Sequence, residues 1–158
     1  MRATRFNHVS IVADDMEESL RFYTEVLGME RIPSPTFDMP VEWLRLGDQQ
    51  LHLFQRESPA PQFHHIALDV DDFEAVYSKI HELGLKDNTL GPDARELPDG
   101  SVQMYLRDPA GNLVEIDWPD VSTLDRSIVT TIARLEDDIP QGAEARDASL
   151  YVSVRTTP

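Results

Sequence analysis

The sequence predicts an α+β fold made of one small module written twice, and three observations predict it. First, "HVSIVADDME", from His8, matches "HIALDVDDFE", from His65, in its histidine, its apolar pairs and its Asp-Asp-apolar-Glu. Second, each match runs on into a helical pattern that ends at a glycine. Third, each helix is followed by three short strand-like runs. The chain therefore reads as strand, helix, three strands, repeated.

The elements follow in order. After the strand at His8, "DDMEESLRFYTEVLG" sets Met16, Leu20, Tyr23 and Leu27 on one face of a helix; after His65, "DDFEAVYSKIHELG" does so with Phe73, Val76, Ile80 and Leu83. Spacings of three and four mark amphipathic helices. Acidic residues open both helices, as the helix dipole favours, and Gly28 and Gly84 supply C-terminal stops. Strands are predicted at about 29–33, 41–46 and 49–55 in the first copy, and at about 88–95, 101–107 and 112–117 in the second. The modules span about 5–56 and 62–118, a domain of 1–118 in all, and 119–158 forms a C-terminal extension. There, Ser122 with Asp125 resembles a capping box, and Leu124, Ile128, Ile132 and Leu135 form one apolar stripe. A helix over about 122–135 is expected, packed over the sheet or serving as a lid or dimer contact that supplies Arg126 to a pocket. A loop over "IPQGAEARD" and an edge strand in "ASLYVSV" complete the tail.

Composition narrows the function. In 158 residues, 41% hydrophobic content suffices for a packed interior. The absence of cysteine excludes disulfides, thiolate metal sites and a cysteine nucleophile, so any metal must be held by nitrogen and oxygen. A net charge of -15, from 29 acidic and 14 basic residues, argues against nucleic acid and anionic membranes as partners. No apolar run approaches the ~18 residues of a membrane span, and "MRATRFNHVS" lacks the apolar core of a signal peptide. A soluble, acidic, cytoplasmic protein is expected.

Strand alternation then sorts the polar residues. His8 opposes Val9, His65 opposes Ile66, His52 lies between Leu51 and Leu53, and Glu115 lies between Val114 and Ile116. Four potential metal donors thus share the face opposite the aliphatic one, while His64 points to the aliphatic side. A lone strand histidine is usually just a core or edge residue. Several donors on one face of a duplicated module favour a site, and an inner-face carboxylate needs a cation or a donor.

The paired modules, with "NHVSIVADDMEESLRFYTEVLGM", "HHIALDV" and "YLRDPAGNLVEI", resemble the vicinal oxygen chelate superfamily. That group includes glyoxalase I, extradiol dioxygenases, fosfomycin-resistance thiol transferases, methylmalonyl-CoA epimerases and bleomycin-binding proteins. The resemblance implies two βαβββ modules forming an incomplete barrel around a divalent metal. It implies His8, His65 and Glu115 as ligands, with His52 where many members carry Glu or Gln. It also implies a small-molecule substrate bound through adjacent oxygens, and a homodimer.

"MYLRDPAGNLVE" resembles the second part of the extradiol dioxygenase signature, with Tyr105 at the required spacing before Glu115. That signature's histidine is missing from "RELPDGSVQMY". Two histidines and a carboxylate suit Fe(II) or Mn(II), with Zn(II), Ni(II) and Co(II) also accommodated. The expected chemistry is dioxygenase-like, with Tyr105 donating to substrate and His52 as fourth ligand or proton-transfer base. A glyoxalase I-like isomerase and a metal-free binding protein of the bleomycin type are the alternatives.

Overall fold

A computed structural model describes residues 6–151. The described chain runs β1 (His8–Ala13), α1 (Met16–Arg21), a π-helical turn (Phe22–Val26), β2 (Glu30–Ile32), β3 (Val41–Leu46), β4 (Gln49–Gln55), β5 (His65–Asp69), α2 (Phe73–Leu83), β6 (Ala94–Glu96), β7 (Val102–Arg107), β8 (Leu113–Trp118), a 3-10 turn (Val121–Thr123), β9 (Ile132–Arg134), α3 (Leu135–Asp138) and α4 (Ala143–Arg146). The strand-helix-three-strand order appears twice, as the repeat requires. The helix starts repeat in atomic detail. Asp15 accepts from the Glu18 amide and Asp72 from the Ala75 amide, each at 2.9 Å. Gly28 (φ 69°) and Gly84 (φ 65°) turn the chain out of each helix in the left-handed region.

Two compact units divide the chain, one of Met1–Ile66 and Arg107–Val114, the other of Ala67–Leu106 and Glu115–Pro158. In the first unit a four-stranded sheet has the order β1-β4-β3-β2. The β1–β4 pair is parallel, and the β4–β3 and β3–β2 pairs are antiparallel. Its core holds Phe22, Tyr23, Leu44, Leu51 and Leu53, each of the order of 1.5–3 kcal/mol in burial. The helical face differs from the expected stripe. Ser19, Phe22 and Tyr23 are buried, whereas Met16, Leu20 and Leu27 are only half-buried. At the helix end the π turn closes Leu27 N–H onto the Phe22 carbonyl, and Met29 rather than Leu27 is buried after it.

The loop "RDPAGN" also belongs to this unit, and its acid is a structural clasp. Asp108, 4% exposed, accepts from the Tyr23 hydroxyl at 2.9 Å, the Ala110 and Asn112 amides at 3.0 and 2.7 Å, and the Asn112 side chain at 2.8 Å. Asn112 Nδ2 also donates to the Val12 carbonyl at 2.7 Å. One buried carboxylate therefore ties the loop to the π turn.

The second sheet has the order β5-β8-β7-β6-β9, with β6 antiparallel to β7 and parallel to β9. Alternation is clean along β7. Val102, Met104 and Leu106 are fully buried, as are Phe73 and Ile80 of α2, while Gln103 and Tyr105 are half-buried on the other face of β7.

The extension departs from the expected helix over 122–135. Among the described residues of the extension, only the 3-10 turn, the short strand β9 and two one-turn helices form, α4 within the stretch expected as loop. The residues explain it. Asp125 turns its carboxylate onto the Ser127 amide and hydroxyl at 2.8 and 2.7 Å, and Asp120 caps the Ser122 amide at 2.9 Å. Such side chains compete with helical backbone bonds, and Val129, Thr130 and Thr131 favour extended chain. Burial falls on Leu124 and Val129, leaving Ile128 41% exposed, so the helical stripe does not exist as a surface. Arg126 is exposed. Of the strand expected in "ASLYVSV", residues 148–151 are not in a strand, and the remainder lies outside the described residues.

Candidate functional site

The first unit brings His8 and His52 together. Their rings stack with centroids 4.2 Å apart and planes 15° from parallel, and Trp43 stacks on the other side of His52 at 4.3 Å and 4°. The sheet register produces this sandwich, since Trp43 lies directly opposite His52 on β3 and Ser10 opposite it on β1. His52 is 6% exposed, and its pKa is lowered by burial and then by the neighbouring His8. It is therefore neutral at pH 7.

Each imidazole has one nitrogen oriented by an oxygen. His65 Nδ1 donates to the Phe63 carbonyl at 2.9 Å, His8 Nδ1 to Asn7 Oδ1 at 3.0 Å, and His52 Nε2 to Gln50 Oε1 at 2.9 Å. In a neutral ring such a bond fixes the tautomer and leaves the lone pair that binds a metal or takes a proton on the other nitrogen. His65 and His64 also line a cavity of about 290 Å³ along β1, walled by Val9, Ile11, Ile66 and Leu113, with Ser10 and Asn112 as further polar groups.

In the second unit the polar face of the sheet carries Gln103 and Tyr105 on β7 and Glu115 and Asp117 on β8. Glu115 is 2% exposed and accepts from the Gln103 amide and the Tyr105 hydroxyl. Burial and then Glu115 push the Tyr105 phenol up, so it stays protonated. Asp117, 5% exposed, is hydrogen-bonded to Glu115, and burial followed by that carboxylate pushes it up to about 8. Its Oδ1 is buried without a partner. Asp117 thus keeps its proton at neutral pH. Sequence reading missed Asp117, although its place two residues after Glu115 puts it on the same strand face. Trp43 was not legible, because its role depends on register.

The donors suit a divalent metal one by one: imidazoles with one oriented nitrogen each and a buried carboxylate. Among the described residues no group of three or more His, Asp or Glu side chains is placed to hold a metal ion. A ligating imidazole keeps the metal near its ring plane at about 2.0–2.1 Å. Two rings 4.2 Å apart and nearly parallel have no such point in common. His8 and His52 therefore do not share a metal while they stack.

Known proteins narrow the identity. Human mitochondrial methylmalonyl-CoA epimerase is 28% identical over 130 residues, covering 72% of this chain and 73% of that protein. Biphenyl-2,3-diol 1,2-dioxygenase of Metapseudomonas furukawaii is 32% identical over 125 residues, covering 73% of this chain but 40% of the dioxygenase. Among solved structures, a putative glyoxalase family protein from Bacillus anthracis superposes with a TM-score of 0.61 at 26% identity, covering 74% of this chain and 98% of that one. The family model for the Glyoxalase/Bleomycin resistance protein/Dioxygenase superfamily matches residues 5–116, and the chain belongs to that superfamily.

Proposed function

We propose that the chain is a divalent-metal-dependent enzyme acting on a small substrate with two adjacent oxygens, by dioxygenase-like chemistry, with His8, His65 and Glu115 as metal ligands. The observation that carries this reading is Glu115. A carboxylate 2% exposed in the middle of a strand, held by an amide and a phenol, is costly to keep unless something uses it. His65 adds the hydrogen-bonded imidazole that metal sites employ. When bound, Fe(II) or Mn(II), or else Zn(II), Ni(II) or Co(II), supplies Lewis-acid stabilisation of a substrate oxyanion or, for the redox-active ions, a route to dioxygen.

The chain's own groups have separable tasks. Tyr105 holds its proton and offers a hydrogen bond to a substrate oxygen. His52, neutral and braced between Trp43 and His8, accepts a proton at Nδ1. Rings on both sides hold it in one orientation. A homodimer belongs to the same reading, supported by Phe6 at 79%, Val9 at 38% and Phe63 at 63% exposure in one unit. Sedimentation equilibrium showing a monomer at tens of micromolar would remove that part alone. No helix of the described residues is long and apolar enough to cross a membrane.

Anaerobic loading with Fe(II), followed by oxygen uptake across a panel of catechols, tests the reaction. Uptake matched to catechol consumption, and lost in Glu115→Ala, supports the reading; no uptake with any catechol removes it. An isomerase is the second reading. It is favoured by the larger share of the epimerase that the chain spans and by a neutral His52 fit to move protons. Metal-dependent exchange of a carbon-bound proton next to a carbonyl, followed by NMR in deuterium oxide, would select it.

A further inference from the structure

The family match ends at residue 116, and the chain beyond it returns to the sheet. Strand β9 extends the sheet beside β6, and Arg95 of β6 pairs with Asp138 at 3.2 Å. The chain then reaches the polar face. Leu150 N–H donates to Asp99 Oδ2 at 2.8 Å, and the Tyr151 hydroxyl donates to Asp69 Oδ1 at 2.9 Å. Within the segment, Ser149 Oγ meets the Tyr151 amide at 3.2 Å and the Tyr151 carbonyl at 3.3 Å, which bends it into a short hook.

Asp69 is the outward end of a row of polar groups. Asp117 stands within electrostatic reach of both Asp69 and Tyr151, Glu115 is bonded to Asp117, and Gln103 and Tyr105 close the far end. Asp117 Oδ1 is buried yet has no partner, so the row has an acceptor to spare beneath a cover. The hook is held by Leu150 N–H and the Ser149 side chain on Asp99 and by the Tyr151 hydroxyl on Asp69, and Leu150 stays 37% exposed. A segment tied down by polar contacts, with none of its described side chains fully buried, opens locally without unfolding its sheet.

We propose that residues 148–151 are an in-chain strap, latched by the Tyr151 phenol on Asp69, that closes the polar face of this sheet and lifts to admit a ligand to Asp117 and Glu115. The strap acts on access and is independent of which reaction the site performs. Tyr151 is a positioning residue in this account, since it acts through Asp69 on what can enter.

Carbodiimide coupling of glycine ethyl ester to the full-length chain, read by peptide mass spectrometry, tests the proposal. Compared with wild type, Tyr151→Ala raises labelling of Asp117 and Glu115 by about fivefold or more, and Tyr151→Phe, which keeps the ring and loses the latch, raises it by about twofold. Asp108, buried in the other unit, serves as the control and stays unlabelled. Unchanged labelling of Asp117 and Glu115 in both variants would overturn the strap. A parallel rise at Asp108 would overturn it as well, because it would mean general loosening.

Discussion

Replacing Asp108 by alanine should cost far more stability than removing any one group that bonds to it. The carboxylate is 4% exposed and accepts from Tyr23, Ala110 and Asn112. In Asp108→Ala the Tyr23 hydroxyl and the amides of Ala110 and Asn112 all lose their acceptor, whereas Asn112 Nδ2 keeps the Val12 carbonyl. Three orphaned donors at roughly 1–1.5 kcal/mol apiece give a loss of about 3–5 kcal/mol. Tyr23→Phe removes a single donor and leaves Asp108 with its other partners, so it should cost about 1 kcal/mol. Urea unfolding at pH 7, followed by far-ultraviolet circular dichroism and with equal slopes in the two variants, measures both. Equal losses in the two variants, or a loss under about 1 kcal/mol for Asp108→Ala, would refute the clasp.

Asp72→Ala removes the cap on the Ala75 amide and should lower stability by about 1 kcal/mol in the same assay. Gly84→Ala should cost a similar amount, about 1 kcal/mol, and purely through backbone strain, because a Cβ there meets nothing within 4 Å. The pH dependence has a definite sign. Asp117 is raised to about 8, so its stabilising contribution is complete below the ordinary carboxylate pKa and is lost as pH rises toward 8. The metal-free chain should therefore lose stability between about pH 4 and pH 8, by at most about 1.4 kcal/mol per unit from this group. Asp117→Asn should flatten the slope; an unchanged slope would show that another group is responsible.

The sequence carried the fold where periodicity is strong and failed where a local side chain competes with it. Strands β3 and β4 match their expected limits because hydrophobic alternation and the Gly47 turn between them act together. The long helix over 122–135 fails because a 3.6-residue stripe is only a pattern, and Asp120 and Asp125 give the backbone other partners. Within the candidate site, alternation alone placed His8 with His52. It did not disclose that the two rings stack, since that depends on the β1–β4 and β3–β4 registers. "RDPAGN" shows the opposite limit. A motif that resembled part of a catalytic signature gives its acid to loop structure, a distinction that only the bonds to Tyr23 and Asn112 reveal.

Metal binding by the full chain tests the central claim most directly. Equilibrium dialysis against Mn(II), with elemental analysis of wild type, His65→Ala and Glu115→Ala, reads it without any assumption about substrate. The account predicts one metal per chain in the wild type, and affinity lowered by about 10-fold or more in each variant. It also predicts a change in His8–His52 stacking on loading, visible as shifted imidazole resonances in NMR. Equal stoichiometry and affinity in all three proteins, with those resonances unmoved, would contradict it.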